Sequence, residues 1–194
     1  MSNFIAKLNE KIKERGIIGL FFALVDRVAK LFYLAKIKNR IGKENIGKNC
    51  FFDSQIECKC KNIKIADNVF IGRNVVLWGK GKIKIGRNTY ISDYVSIYAD
   101  DLVEIGEYCN IASFSFIIDS NHGIKKGVKI QDQPHNTKEV RIGNDIWIGA
   151  SCLITPGSTI EDGAVIAGNS VVKGSIPSDA IVAGSPAVVK KFRQ

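Results

Sequence analysis

Aliphatic side chains recur at every sixth residue over most of this chain. They stand at Ile65, Ile71, Leu77, Ile85, Ile91, Ile97, Ile105, Ile111 and Ile117, and again at Ile142, Ile148, Ile154, Ile160, Ile166 and Val172. A period of six fits short strands separated by turns, each strand directing one aliphatic side chain inwards. Three such strands form a triangular coil of about eighteen residues, and stacked coils bury a continuous column of apolar side chains. The pattern therefore predicts an all-β parallel β-helix; the alternative, a β-sandwich, would have to keep these positions in phase by chance.

The repeat has one longer corner and one interruption. Ile65, Ile85 and Ile105 are twenty residues apart, whereas the coils after residue 142 keep a step of eighteen, so one corner of the early coils contains two extra residues. In three aligned coils that corner reads LWGKGK, IYADDL and IIDSNHG. The third copy is extended into an excursion over residues 119–140. We therefore predict a β-helix domain over residues 43–192 with one long excursion loop that acts as a lid.

Residues 1–42 follow a helical period instead. The apolar face of a first helix is formed by Phe4, Ile5, Leu8 and Ile12. Gly16 and Gly19 predict a break, and a second helix is expected from residue 20 to residue 37. The chain thus divides into an N-terminal helical segment and the β-helix.

Composition limits the partners and the compartment. The net charge of +9 favours an anionic partner, either a phosphorylated small molecule or an acidic membrane surface; no nucleic-acid motif accompanies it, so nucleic acid is ranked last. Five cysteines, an odd number without a C-x-x-C pair, predict neither disulfides nor a zinc site and are typical of the reducing cytosol. The longest apolar run, residues 16–25, is too short to span a bilayer. A cytoplasmic protein is expected, with association to the inner face of the membrane left open.

The hexapeptide pattern resembles the left-handed β-helix acyltransferases. The stretch VRIGNDIWIGASCLITPGSTIEDGAVIAGNSVVKGSIPSDAIVAGSPAVVKK is similar to the C-terminal half of the maltose and galactoside O-acetyltransferase group, and the resemblance covers about residues 46–192. It implies a left-handed parallel β-helix, a homotrimer, and acetyl-CoA as co-substrate in a groove between neighbouring subunits, with no metal required.

His122 is the candidate catalytic residue. It is one of two histidines in the chain and lies at the root of the excursion. Acetyl transfer from a thioester to a hydroxyl needs a base near neutral pH, and the ordinary pKa of histidine suits that task. In the family that the chain resembles, a histidine at this position is the general base and returns the proton to the departing CoA thiolate.

Five further residues bear on the binding of the acceptor. The resemblance implies that Asp100 contacts the acceptor sugar, although a solvated turn aspartate is an equal alternative. Asp119 and Asn121 are candidates to orient His122 or to bind substrate, and they are also ordinary turn formers. His135 is expected to be a solvated loop residue that could reach substrate if the lid folds over a neighbouring site. Ser92 stands where sugar-acetylating relatives have an amide side chain, which leaves the acceptor undefined.

The resemblance also implies a CoA site. Ala150 and Gly168, eighteen residues apart, match small residues that contact CoA in the family, and Trp147 is expected at the wall of the groove, with core packing as the alternative. Lys173 and Lys191 are the candidates for contacts with the CoA phosphates, their alternative being a solvated basic tail. The family usually has a lysine at the position of Gly174, so the phosphate contacts are expected to be rearranged.

These observations favour acetyl-CoA-dependent O-acetylation of a sugar hydroxyl in surface polysaccharide or glycan biosynthesis. Three alternatives stand beside it: N-acetylation of a nucleotide-linked amino sugar, a non-catalytic β-helix scaffold, and a zinc carbonic anhydrase. The last is rejected because its site needs three histidines and the chain has two. For residues 1–40, capping of the β-helix or contacts within a trimer are expected ahead of peripheral contact with a membrane near a lipid-linked glycan.

Overall fold

A computed structural model describes the backbone of residues 2–194, without the side chains of residues 1–15, 17, 20 and 30. The chain divides into two compact units, Met1–Ile37 and Lys38–Gln194.

The first unit is helical. Helix α1 runs over Ser2–Ile41 and is interrupted at Gly16, whose φ of 67° and ψ of 166° are not helical. The expected break near Gly16 is therefore present, but the second helix continues past residue 37. The apolar face expected for the first helix, from Phe4 to Ile12, consists of side chains that the structure does not describe. Within the described residues, no helix combines the length and the apolar character needed to cross a membrane.

The second unit is a parallel β-helix of short strands. In chain order the strands are β1 (Phe51–Phe52), β2 (Glu57–Cys58), β3 (Asn62–Ile65), β4 (Phe70–Ile71), β5 (Val76–Trp78), β6 (Lys82–Ile85), β7 (Tyr90–Ile91), β8 (Ser96–Tyr98), β9 (Leu102–Ile105), β10 (Asn110–Ile111), β11 (Phe116–Ile118), β12 (Ser120–His122), β13 (His135–Thr137), β14 (Val140–Ile142), β15 (Trp147–Ile148), β16 (Leu153–Ile154), β17 (Thr159–Ile160), β18 (Val165–Ile166), β19 (Val171–Val172), β20 (Ser175–Ile176), β21 (Ala180–Ala183) and β22 (Val188–Phe192). Two single 3-10 turns are present at Lys43–Asn45 and Ile130–Asp132.

Three parallel sheets form the faces of the β-helix. Face A is β3-β6-β9-β14-β17-β20, face B is β1-β4-β7-β10-β15-β18-β21-β22, and face C is β2-β5-β8-β11-β16-β19. All pairings within the faces are parallel except the last, in which β22 returns antiparallel to β21. About seven coils are stacked in this way, which confirms the β-helix predicted from the six-residue period.

The core consists of the predicted aliphatic columns. On face C the column contains Leu77, Ile97, Ile117, Ile154 and Val172, whose side chains are at most 1% exposed. Each of these residues pairs in register with its counterpart one coil away. Removing such a side chain would typically cost about 2–5 kcal/mol, the cost of a buried Leu-to-Ala or Ile-to-Ala change. The stack is therefore a rigid support for whatever leaves its corners.

The excursion is a β-hairpin rather than an irregular loop. Strand β12 pairs antiparallel with β13, with His122 opposite His135. At the base of the hairpin, the N–H of Lys138 donates to the carbonyl of Asp119 at 2.8 Å. Near its tip, the Gln133 amide accepts from the N–H of Lys125 at 2.7 Å and donates to two carbonyls. The first part of the expected excursion loop is thus a strand, Ser120–His122, that is held by a second strand.

Candidate functional site

A cavity lies against face C at the base of the hairpin. Its volume is about 450 Å³, and its wall combines outward-facing residues of face C with both strands of the hairpin. The lining residues include Val76, Trp78, Ser96, Tyr98, Phe116, Ile118, Asn121, His122 and His135. The pleat explains this set, because side chains alternate along a strand and those next to the buried column point outwards. The side of the sheet is mainly apolar, with Glu57 and Ser96 as polar members, and the side of the hairpin is polar.

His122 stands at the end of β12 with its ring exposed to this cavity. The imidazole of His135 lies against it, with ring centroids 4.5 Å apart and the planes at 79°, an edge-to-face arrangement. The antiparallel pairing of β12 with β13 sets this contact, because directly opposed residues bring their side chains to the same side of the hairpin. The two histidines of the chain therefore meet at one place.

A carboxylate holds the second histidine. His135 Nδ1 lies 2.7 Å from Oδ2 of Asp100, whose side chain is only 4% exposed. Burial alone would raise the pKa of Asp100, but hydrogen bonds from His135 and Tyr98, together with the nearby Lys80 cation, lower it below its ordinary value. An ionised carboxylate can only accept, so Nδ1 of His135 is the donor, and in the neutral imidazole Nε2 is left as an acceptor. His135 is therefore oriented on the cavity wall by Asp100; it is exposed to solvent, as expected, but it lies on a strand rather than in a loop.

Tyr98 contacts both the Asp100 carboxylate and the aromatic wall of the cavity. Burial raises the pKa of its phenol, and so does its hydrogen bond to the Asp100 carboxylate. Its ring packs edge-to-face on Trp78, with centroids 5.2 Å apart. A second cavity of about 370 Å³ shares Trp78, Tyr98 and His135 with the first and adds Lys80 and Asp100. The two aromatic residues thus form the common wall of a polar and an apolar compartment.

Asp119 has a different position from the one that a substrate contact requires. Its side chain is fully buried. Its two carboxylate oxygens accept from the backbone N–H groups of Asp100 and Asp101 at 2.8 and 2.7 Å. It therefore fixes the turn that presents Asp100 and does not itself face an acceptor. Asn121, in contrast, is exposed on the cavity wall, and its role in orienting His122 or binding substrate stays a prediction.

Glycine makes the Asp100 turn possible. A Cβ at Gly79 or Gly81 of the preceding coil would clash with the backbone of Ala99 or Asp101. Gly79 also has a φ of 115°, a backbone angle that residues other than glycine rarely adopt. The two extra residues of this corner therefore allow the turn of one coil to pack closely against the corner of the coil before it.

The residues expected at a CoA site lie elsewhere on the surface. Ala150 and Gly168 stack on each other at the corner between faces B and C, where the N–H of Asn169 donates to the carbonyl of Ala150 at 2.9 Å. Lys173 lies at the corner between faces C and A, which is also the corner of the hairpin. Lys191 is on β22, opposite Ile181. A single chain thus places these residues on different edges of the stack.

Trp147 and Ser92 belong to face B. Trp147 is 57% exposed, which excludes the core position that was the alternative for it. Together with Tyr90, Ser92, Asn110 and Ala112 it lines a shallow depression of about 430 Å³. Ser92 is therefore not part of the cavity that contains His122 in the same chain.

The aromatic wall of the cavity was not predicted from the sequence. Trp78, Tyr98 and Ile118 occupy equivalent positions and pair in register across three coils. The signal was present in the aligned corners LWGKGK, IYADDL and IIDSNHG, whose second letters are these three residues. The six-residue period identifies the buried column but not the outward-facing residues next to it.

Comparisons with known proteins agree with this fold. A family model described as bacterial transferase hexapeptide (six repeats) matches residues 139–174. An Escherichia coli K12 protein named provisionally as the lipopolysaccharide biosynthesis O-acetyltransferase WbbJ is 36% identical over 131 residues, covering 63% of this chain and 67% of its own length. The galactoside O-acetyltransferase of the same organism is 30% identical over 63% of this chain and 60% of its own length.

Two solved structures extend the comparison. A galactoside acetyltransferase in complex with coenzyme A shares 29% identity and superposes with a TM-score of 0.61, over 66% of this chain and 64% of that one. A mutant of AntD, an N-acyltransferase from Bacillus cereus in complex with dTDP and coenzyme A, shares 25% identity with a TM-score of 0.68, over 77% and 83% of the two chains.

The fold is therefore that of a hexapeptide-repeat β-helix with a hairpin inserted at one corner. The chain belongs to the hexapeptide-repeat acetyltransferase family.

Proposed function

We propose that this protein transfers an acetyl group from acetyl-CoA to a sugar hydroxyl, in the biosynthesis of a surface polysaccharide or another glycan. The observation on which the proposal rests is the cavity that places His122 beside an oriented His135 and two aromatic residues. A pocket with an apolar aromatic wall and a few convergent polar groups suits a pyranose ring, which has apolar faces and hydroxyl edges. The names of the O-acetyltransferase relatives support the same acceptor class.

The proposed reaction needs no covalent enzyme intermediate. The imidazole of His122 removes the proton from the acceptor hydroxyl as the oxygen attacks the carbonyl carbon of the acetyl thioester. A carbon–oxygen bond forms, the carbon–sulfur bond breaks, and the imidazolium returns its proton to the CoA thiolate. Asp100 holds His135 through its hydrogen bond to Nδ1, and so keeps the His135 ring in place against His122 during the transfer.

The acceptor is expected to contact Asn121 and the free Nε2 of His135. Asp100 is proposed to act on the acceptor through His135, because its carboxylate is nearly covered. This differs from a direct contact between Asp100 and a sugar. Asp119 supports the same turn from beneath.

We propose that the active enzyme is a homotrimer. In one chain His122 leaves the corner between faces C and A, whereas Ala150 and Gly168 lie on the corner between faces B and C. A donor molecule held along the second corner would reach the His122 of a neighbouring chain if two β-helices lie side by side. Trp147 would line that groove, and Lys173 and Lys191 would meet the phosphates of CoA.

One experiment tests the catalytic assignment and the acceptor class together. Sugars, amino sugars and glycan intermediates are screened for acetyl-CoA-dependent thiol release with the wild-type protein and with His122→Ala. We expect turnover with a hydroxyl acceptor, and a loss in the variant by a factor on the order of a hundred or more. The variant should keep its assembly and its affinity for acetyl-CoA. Turnover at the wild-type rate in the variant would contradict the assignment of His122.

The second candidate function changes the acceptor to an amine. It is favoured by the similarity to AntD, an N-acyltransferase solved with dTDP and coenzyme A. The same screen separates the two, because product from an amino sugar would be an amide that resists mild alkaline hydrolysis whereas a sugar ester would not. Activity confined to amino sugars would replace the first proposal by the second.

A further inference from the structure

The helix after Gly16 presents large apolar side chains to the surface. The side chains between residues 18 and 32 that are 43–74% exposed are those of Ile18, Phe21, Phe22, Leu24, Val25, Val28, Leu31 and Phe32. Isolated exposed apolar residues are common, but eight within fifteen positions form a continuous surface. Such a surface predicts a partner.

These residues lie on one side of the helix. At 100° per residue they span an arc of about 180° around the helix axis. Asp26 and Arg27, which are also exposed, fall on the opposite half. The segment is therefore amphipathic, with an apolar half that includes three phenylalanines.

The charge of the protein is concentrated around this segment. Residues 1–43 contain ten Lys and Arg residues and three acidic residues, so they contribute +7 of the net charge of +9. Lys36, Lys38 and Arg40 are exposed on the last turns of the helix, and Lys43 follows within three residues. The remaining 151 residues are close to neutral. A partner that is apolar and anionic matches both properties.

We infer that the helix of residues 17–41 binds the surface of an anionic lipid bilayer. An amphipathic helix with phenylalanine and leucine on one face and cations beside it lies in the plane of the interface, with its apolar half among the acyl chains and its cations at the headgroups. A second copy of the same helix is a poorer occupant, because pairing apolar faces would bring two strongly basic segments together. The inference stands on the helix alone and does not depend on the acetyl acceptor.

Vesicle flotation of the full-length protein tests the inference. The wild type is compared with Phe21→Glu/Phe32→Glu, which places two carboxylates in the apolar half and changes no residue of the β-helix. Vesicles consist of phosphatidylcholine alone or of phosphatidylcholine mixed with phosphatidylglycerol. Ile124→Glu at the tip of the hairpin is the matched control, because Ile124 is 84% exposed and equally apolar.

We expect the wild type and Ile124→Glu to float with the anionic vesicles, at least about tenfold less with neutral vesicles, and to be released by high salt. The double variant should lose at least about tenfold in binding. Two results would overturn the inference. One is absence of flotation of the wild type with anionic vesicles. The other is a double variant that binds lipid like the wild type, or one that instead changes the oligomeric state measured by light scattering. A changed oligomeric state would identify the apolar face as a contact between copies of the chain. Acetyl transfer to a soluble acceptor is measured alongside, so a failure of lipid binding is distinguishable from a failure of the proposed activity.

Discussion

His135 donates a hydrogen bond from Nδ1 to Oδ2 of Asp100 over 2.7 Å, joining the hairpin to the corner of the preceding coil. We predict that the two residues act as one unit. Asp100→Asn and His135→Gln should each lower kcat/KM by a factor on the order of ten or more, and the double variant should lose little beyond the worse single change. Steady-state kinetics of the four proteins checks this. Asp101→Asn, an exposed neighbour, is the control. Losses that simply add would show that Asp100 and His135 serve the cavity independently.

We predict that the main contribution of Asp119 is to the stability of the fold rather than to the reaction. Asp119→Ala would leave the partly buried N–H groups of Asp100 and Asp101 without their charged acceptor, and we expect a loss of about 2–4 kcal/mol in the free energy of unfolding. Urea unfolding followed by circular dichroism measures it. Asp101→Ala should change the value by less than about 0.5 kcal/mol, because its side chain is exposed. Equal effects of the two changes would refute the structural role.

Gly79 tests whether close approach of the coils positions the site. Gly79→Ala would introduce a Cβ into the backbone of Ala99 and should cost about 2–4 kcal/mol. Gly174→Ala is a matched control, because Gly174 has a φ of 81° but nothing lies within 4 Å of its Cβ position, so only the backbone cost of about 1 kcal/mol is expected. Thermal unfolding ranks the two variants, and a larger loss at Gly174 would be inconsistent with the steric argument.

Alkaline pH should weaken the fold through the buried thiols. Burial raises the pKa of Cys58 and of Cys109 from 9.0 to about 11. Because the folded state holds these protons more tightly than the unfolded state, the contribution is fully present below about pH 9 and is lost as the pH rises towards 11. Urea unfolding at a series of pH values should show a shallower decline across this window in Cys58→Val/Cys109→Ala than in the wild type. Parallel curves would exclude the effect.

The β-helix could be predicted because its determinants are local and repeated. Each isoleucine of the column is specified by the turn residues beside it, and one coil predicts the next. The hairpin could not be predicted in the same way, since the pairing of His122 with His135 depends on residues thirteen apart in a stretch without a period. The contact of His135 with Asp100 spans 35 residues and joins successive coils at the same corner, and no sequence spacing predicts a carboxylate partner for a histidine in a loop. The CoA residues were taken from a family resemblance, and their roles stay a prediction.

Both ends of the hairpin leave the stack at one point, closed by the hydrogen bond from Lys138 to Asp119. The coils before and after it still pair directly, β9 with β14 and β11 with β16, as though nothing had been inserted. The hairpin is therefore a detachable module. Its length and sequence can change during evolution, or be exchanged between relatives in the laboratory, without altering the scaffold that supports it. In such an arrangement acceptor preference can diversify rapidly while the handling of the acetyl donor is inherited unchanged.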